Sequence, residues 1–250
     1  GTECNLGKQH KWCPNLHRQR FTSVDTTNPL DDHDILYACK EANKLGFQGF
    51  VGFHYYNEPL LQYARILRLQ RLISDALPYT RYVLWTNGTL VTQEVIGSFD
   101  KVVISNYSRE DFSYLTHSDL TILEAHPDDR LIPHTSPSPG HCLRPYVELV
   151  FDAYGNARLC CQDWRGQVIH GKLSTDSFPS IAESMDNLRF LLAGEGGKMS
   201  LDAPRTCLRC HLKYTSLDNF DPIIDKLQHR HLYHRGFRYT KTGIVLVHYL

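Results

Sequence analysis

Apolar residues recur with two different periods along the first 125 residues, one typical of helices and the other typical of strands. In residues 31–45, Ile35, Cys39 and Ala42 fall on one face of a helix, and acidic side chains occupy its first turn. Because Cys39 shares this apolar face, we expect it to be a core thiol and not a metal ligand. Helices and strands alternate from there on, with helices predicted over 31–45, 59–77 and 91–99 and strands over 47–56, 81–85, 101–105 and 120–124.

This alternation predicts an α/β fold in which parallel strands are joined by right-handed helical crossovers. We expect residues 1–132 to form either an open sheet or a partial barrel. In such folds the functional side chains stand at the C-terminal ends of the strands. The strand ends predicted here are residues 56–59, 85–88, 105–107 and 124–126.

The pattern changes after residues 133–141, a loop rich in Pro, Ser and His that predicts a domain boundary. Residues 146–151 and 157–161 predict the two strands of a hairpin, with the turn sequence DAYGN between them. A small α+β domain is therefore expected over residues 133–215.

A helix is predicted over residues 180–192, where Ser180 and Glu183 have the spacing of a capping box. Residues 216–250 form a C-terminal tail rich in His, Arg and aromatic side chains, and the tail ends in an apolar segment. That segment, residues 244–248, is a candidate for an added strand at the edge of the N-terminal sheet.

Composition excludes several classes of partner. The chain has 27 basic and 27 acidic side chains, so no net charge attracts it to nucleic acid or to an anionic membrane. No apolar run approaches the roughly 20 residues that span a bilayer, and the first residues do not resemble a signal peptide. Eight cysteines in 250 residues are too few for a disulfide scaffold, so we expect a reducing, cytoplasmic setting in which clustered cysteines bind metal.

Four cysteines in the second half fit one metal site. Cys207 and Cys210 form a C-x2-C pair, whose loop lets two thiolates meet one metal centre, and Cys142 and Cys160 lie 18 positions apart. Four thiolates bind either zinc or an iron–sulfur cluster, and the spacing alone does not separate these two alternatives. A set of buried structural thiols without metal is the third alternative.

The segment CLRPYVELVFDAYGNARLCCQDWRGQVIHGKL, followed by CLRC, resembles the SPASM/twitch extension of radical S-adenosylmethionine (SAM) enzymes. The shared features are a C-x2-P step, a D-x-x-G-N hairpin, a C-C-x-D step and a late C-x2-C pair. The resemblance implies an auxiliary [4Fe–4S] cluster held by Cys142, Cys160, Cys207 and Cys210, with Cys160 and not Cys161 as the ligand.

The first half resembles the same family at three strand ends. VGFHYYNEPLL is similar to the family's G-E-P-L motif, and Glu58 would then accept hydrogen bonds from the ammonium group of SAM. WTNGTLVT and VVISNYS are similar to the next two strand ends. The resemblance implies that SAM is bound by Asn57, Glu58, Pro59, Thr86, Asn87 and Ser105.

The N-terminal cysteine loop departs from the family pattern. Radical SAM enzymes hold a catalytic [4Fe–4S] cluster through C-x3-C-x2-C, whereas Cys4 and Cys13 here lie nine positions apart instead of seven, and His10 stands at the middle position. In one interpretation His10 is the third ligand, since imidazole replaces thiolate in some clusters. In a second, the cluster is lost and the domain binds its ligand without radical chemistry. In a third, the loop is altered or incompletely represented.

The resemblance implies an abbreviated partial (β/α) barrel of the radical SAM type with a small α+β twitch domain. Within the family, the F-H-x-Y-x-E-P-L-L, T-N-G and H-S-D-L stretches are most similar to the aminocyclitol dehydrogenases. The implied activity is an oxidation of a small polar substrate by hydrogen abstraction, with a flavodoxin or ferredoxin as electron donor. A peptide substrate, and a non-radical iron–sulfur or electron-transfer protein on the same scaffold, are the alternatives. The substrate-contact candidates are Tyr56, Trp85, Gln162 and Asp163, the last of which alternatively supports the hairpin or the cluster.

Overall fold

The computed structural model of the chain describes residues 3–6, 30–47, 49–54, 57–124, 148–161, 163, 168–193, 204, 207 and 244–247. Four helices lie in these ranges: α1 (Asp32–Lys44), α2 (Tyr63–Ala76), α3 (Gln93–Ile96) and α4 (Phe178–Ala193), with a short 3-10 helix at Pro59–Gln62. The strands are β1 (Phe50–Gly52), β2 (Arg81–Thr86), β3 (Lys101–Asn106), β4 (Leu120–Glu124), β5 (Glu148–Phe151), β6 (Asn156–Arg158), β7 (Ile169–Lys172) and β8 (Ile244–Val247).

Helix α1 begins and ends where its sequence predicts. The Asp31 carboxylate accepts hydrogen bonds from the N–H groups of His33 and Asp34, both at 2.8 Å, and the Asp34 carboxylate accepts one from the Asp31 N–H. Gly46 follows the helix with a positive φ of 85°. Cys39 is buried in the core, where burial raises the pKa of its thiol to about 12. The prediction that Cys39 is a core thiol is therefore confirmed.

The strands form one eight-stranded sheet in the order β4-β3-β2-β1-β8-β5-β6-β7. Strands β1 to β4 are parallel to their neighbours, which confirms the predicted parallel sheet, and β5, β6 and β7 pair antiparallel. The hairpin predicted around DAYGN is present as β5 and β6. Strand β7 was not predicted from the sequence.

Strand β8 joins the two halves of this sheet. Its residue Ile244 is in register with Phe50 of β1 on one side and with Glu148 of β5 on the other, parallel to both. The expectation that the apolar segment near the C-terminus pairs with the edge of the N-terminal sheet is confirmed for residues 244–247. The sheet thus continues through β8 into residues of the predicted second domain.

The main core lies between the helices and one face of the sheet. Side chains alternate along a strand, so residues such as Leu84 and Ile104 pack with the helices, while Val83 and Val103 are buried on the opposite face. Within the described ranges, no helix combines the length and apolarity needed to cross a membrane.

Helix α4 corrects one sequence prediction. It begins at Phe178, and the Ser177 hydroxyl accepts a hydrogen bond from the Ser180 N–H at 3.3 Å. The predicted capping box of Ser180 and Glu183 is therefore wrong, because both residues lie inside the helix. The start moves upstream because Phe178 is fully buried in the core, which extends the apolar stripe by one turn.

Candidate active site at the carboxyl ends of the strands

The N-terminal segment meets the sheet at the carboxyl ends of β1 and β2. The Glu58 N–H donates a hydrogen bond of 2.8 Å to the Glu3 carbonyl, and Leu6 is buried. Between these two anchors, Cys4 is half-buried and lies next to the turn that follows β2. The fold therefore places one predicted cluster ligand beside the residues predicted to bind SAM.

Glu58 is the centre of this site. Its side chain is 2% exposed, and its Oε1 accepts hydrogen bonds from the Leu60 N–H at 3.2 Å and from the Thr86 hydroxyl at 2.7 Å. Its Oε2 accepts one from the Asn87 N–H at 2.8 Å. Burial raises the pKa of Glu58 above its usual value, although the three hydrogen bonds oppose the shift. The carboxylate thus links the end of β1 to the end of β2.

Asn87 extends this network to the N-terminal segment. Its Oδ1 accepts hydrogen bonds from the Thr89 N–H at 3.1 Å and from the Thr89 hydroxyl at 2.7 Å. Its Nδ2 donates to Asn5 Oδ1 at 2.8 Å and lies 3.9 Å from the Cys4 sulfur. The sequence did not single out Asn5 or Thr89; each directly follows a predicted site feature, Cys4 and the T-N-G turn.

Gly88 makes this turn possible. Its φ is +88°, and a Cβ atom there would lie 2.5 Å from the Phe112 ring. Only glycine combines this backbone conformation with so close an approach of a side chain. The T-N-G turn therefore holds its shape by steric restriction as well as by hydrogen bonds.

The remaining predicted residues of the strand ends lie on two faces of the sheet. Thr86 is in register with Ile104 on the helix side, whereas Trp85 is in register with Val103 on the opposite face, which by alternation Ser105 shares. Ser105 and Trp85 therefore lie on the face of the sheet opposite to the Thr86 side chain. Asn57 is half-buried before Glu58, and Pro59 starts the 3-10 helix.

His54 joins Trp85 on this opposite face. The two rings lie 4.6 Å apart between centroids at an angle of 58°. Sequence reasoning did not single out His54, although it lies in the F-H-x-Y stretch that carries the resemblance. The pair forms an aromatic surface at the carboxyl ends of β1 and β2.

Two of the four predicted C-terminal ligands lie together. Cys160 and Cys207 are each 6% exposed and pack in one small apolar cluster with Leu159 and Leu188. Cys161, by contrast, is half-buried and is not a member of this cluster. Of the two adjacent cysteines, Cys160 is therefore the one that is buried beside Cys207.

Asp163 supports the loop after Cys160. It is 1% exposed, its N–H donates to the Cys160 carbonyl at 3.1 Å, and its Oδ2 accepts from the Val168 N–H at 2.9 Å. These contacts fit the alternative in which Asp163 stabilises the turn after Cys160, a predicted ligand.

Six predicted site residues lie outside the described part of the chain: Tyr56, Gln162, His10, Cys13, Cys142 and Cys210. Among the residues that the structure describes, no three His, Cys, Asp or Glu side chains form a metal-binding group. A cavity of about 640 Å³ lies at the other end of the strands, between the ends of α1 and α2, and no predicted site residue lines it.

Fold and site together define an α/β protein with a parallel sheet and a candidate ligand site at the carboxyl ends of β1 and β2. No protein-family model matches the sequence. The chain is 23% identical over 221 residues to the S-adenosyl-L-methionine-dependent 2-deoxy-scyllo-inosamine dehydrogenase of Niallia circulans, covering 78% of this chain and 86% of that enzyme. It is a distant homologue of that dehydrogenase.

Two solved structures have the same fold. The selenomethionine form of BtrN in an open conformation matches with a TM-score of 0.59 and 18% identity, covering 84% of this chain and 87% of that one. BtrN in complex with AdoMet and 2-DOIA matches with a TM-score of 0.58 and 18% identity, covering 76% and 83%. The mixed α/β architecture with its parallel sheet is therefore shared with BtrN.

Proposed function

We propose that this chain is a radical SAM-type iron–sulfur enzyme that binds SAM and oxidises, or otherwise modifies, a small polar substrate by hydrogen abstraction. The observation that carries the proposal is the hydrogen-bonded group of Cys4, Glu58 and Asn87 at the carboxyl ends of parallel strands. This chain is also a distant homologue of a SAM-dependent dehydrogenase. The name of that dehydrogenase identifies its substrate as an aminocyclitol.

The site has donors of the right kind for both cofactors. Cys4 offers a half-buried sulfur, and Cys13 and His10 would complete the ligands of an N-terminal cluster. Glu58 Oε2 accepts a single hydrogen bond within the described structure, which leaves a lone pair for the SAM ammonium. When bound, a [4Fe–4S] cluster supplies the electron that cleaves SAM to the hydrogen-abstracting radical. Asn57, Pro59, Thr86, Asn87 and Ser105 would complete the SAM site.

The C-terminal cysteines fit an auxiliary [4Fe–4S] cluster held by Cys142, Cys160, Cys207 and Cys210. The thiols of Cys160 and Cys207 share a water-excluding apolar environment, and exclusion of solvent is one of the factors that set a cluster's potential. When bound, such a cluster would supply an acceptor for the second electron of the oxidation or a surface that positions the substrate.

The substrate would bind on the sheet face that carries Trp85, with Tyr56 and Gln162 as further proposed contacts. The buried Asp163 would instead support the loop after Cys160. An aromatic surface with nearby polar groups suits a small polyhydroxylated ring, which presents C–H faces and hydroxyl edges. A flavodoxin or ferredoxin would supply the first electron.

The test is anaerobic reconstitution followed by incubation with SAM and dithionite. About eight irons per chain and release of 5′-deoxyadenosine support the enzyme, because each cubane holds about four irons. About four irons with intact SAM favour the alternative, a non-radical iron–sulfur protein on the same scaffold. Cys4→Ala is expected to remove one cluster. Cys39→Ala is the control: Cys39 lies on the buried face of α1, and its replacement is expected to keep both clusters. Zinc in place of iron after anaerobic purification contradicts the proposal.

A further inference from the structure

A side-chain amide approaches the sulfur of Cys4. Asn87 Nδ2 lies 3.9 Å from the Cys4 sulfur and donates its shorter hydrogen bond, of 2.8 Å, to Asn5 Oδ1. A neutral thiol is a weak acceptor, but a thiolate or metal-bound sulfur carries negative charge and accepts more strongly. The contact is therefore expected to shorten when the sulfur is ionised.

The orientation of this amide is fixed by its surroundings. The oxygen of the Asn87 side chain accepts a hydrogen bond from the Thr89 backbone N–H, which is a donor only. A rotated amide would place two donors against each other at that point, so the nitrogen must face Cys4. The Thr89 backbone N–H thus determines that the nitrogen of the Asn87 amide, and not its oxygen, faces the Cys4 sulfur.

Asn87 is also held rigidly. It is 7% exposed, its own N–H is bound by the buried Glu58 carboxylate, and Asn5 Nδ2 donates to Thr89 Oγ1 at 2.6 Å. The backbone contact between Glu3 and Glu58 adds another anchor. These hydrogen bonds place the Cys4 sulfur against the Asn87 amide.

We propose that Asn87 is a positioning residue: it holds Cys4 at the carboxyl end of β2, and its N–H···S hydrogen bond raises the reduction potential of the N-terminal cluster. The second role, the effect of Asn87 on the reduction potential of the cluster, rests on the function proposed above. Donors to a cluster's sulfurs stabilise the more negative, reduced state, which is why hydrogen bonding is one of the factors that set its potential.

The tuning is tested by redox titration monitored by EPR on the reconstituted full chain. The N-terminal signal is the one that Cys4→Ala removes. Asn87→Ala is expected to keep the iron content and to lower the midpoint potential, by about a tenfold change in the reduction equilibrium, or about 59 mV for one electron. Asn87→Asp adds a negative charge and is expected to lower it further.

Asn106→Ala is the matched control. Asn106 is 2% exposed at the end of β3, and its amide donates to Glu110 and Glu124. Its loss is expected to leave the potential unchanged. An unchanged potential in Asn87→Ala with full iron, or an equal fall in both variants, overturns the tuning. A wild-type chain without a Cys4-dependent cluster overturns the tuning together with the proposed function.

The positioning is tested separately in the metal-free protein. The alkylation rate of Cys4 is measured by peptide mass spectrometry at a pH at which the thiol is fully ionised, so that a change in the thiolate fraction does not contribute. The half-buried Cys161 of the same chain is the internal reference. Asn87→Ala is expected to increase the Cys4 rate about tenfold relative to Cys161, whereas Asn106→Ala leaves the ratio unchanged. Equal ratios in wild type and Asn87→Ala overturn the positioning role, whatever the iron content.

Discussion

Replacing Glu58 with Gln tests the link between the two strand ends. The amide oxygen of Gln takes the place of Oε1 and keeps the hydrogen bonds from the Leu60 N–H and the Thr86 hydroxyl. The amide nitrogen then takes the place of Oε2 and faces the Asn87 N–H, donor against donor. The substitution therefore removes one identifiable hydrogen bond at almost constant volume.

The magnitude follows from the burial of that N–H. An unsatisfied buried donor destabilises a fold by about 1–3 kcal/mol, and hydrogen bonds to charged groups lie toward the upper part of this range. Because Asn87 is buried, water cannot replace the lost acceptor. We expect Glu58→Gln to lower the free energy of unfolding by about 1–3 kcal/mol at neutral pH.

The pH dependence has a definite sign. The pKa of Glu58 is raised in the folded state above its usual value of 4.5, so the folded state binds the proton more tightly. The stability linked to this proton is fully present below the unfolded-state pKa and is lost as the pH rises through the folded-state pKa. Gln does not titrate, so the stability difference between wild type and Glu58→Gln is expected to shrink as the pH rises through that window.

Urea unfolding followed at several pH values measures both effects. Asp100→Asn is the control, since the exposed Asp100 carboxylate accepts the Tyr82 N–H at the opposite end of β2 and its amide can rotate to keep that bond. We expect a change below about 0.5 kcal/mol there. Equal stability of wild type and Glu58→Gln at neutral pH, or a difference that grows as the pH rises through the window, would refute the reasoning.

Three further predictions concern the turn after β2 and the C-terminal hairpin. Gly88→Ala is expected to destabilise the fold by at least about 1–2 kcal/mol in thermal unfolding, because its Cβ meets an aromatic ring and its φ is left-handed; an unchanged melting temperature contradicts the steric argument. Asp152→Ala leaves the buried Arg158 guanidinium without its carboxylate, and a loss of about 3–5 kcal/mol is expected in urea, whereas a loss below about 1 kcal/mol contradicts the importance of the pair. Cys160→Ala is expected to lose one cluster's worth of iron on reconstitution while Cys161→Ala keeps it, and the reverse result would exchange their roles.

The sequence by itself determined the features that depend on near neighbours along the chain. The period of the apolar residues and the acidic residues of the first turn located α1 and the burial of Cys39, because helix faces and helix ends involve residues within about four positions of each other. The alternation of helices and strands predicted the parallel sheet, because a helix between two strands returns the chain to the end of the sheet at which the first strand began. The start of α4 was missed because the burial of Phe178, which extends that helix upstream, is a tertiary contact.

Only the tertiary structure decided what distant segments do together. The pairing of β8 with β1 joins residues almost 200 positions apart, and the apolar pattern of β8 allowed it without specifying the partner. The contact of Asn87 with Cys4 and Asn5, more than 80 positions away, depends on where the ends of β1 and β2 meet. Local sequence patterns predict which side chains are buried. The residues that those side chains contact depend on how all the helices and strands pack together.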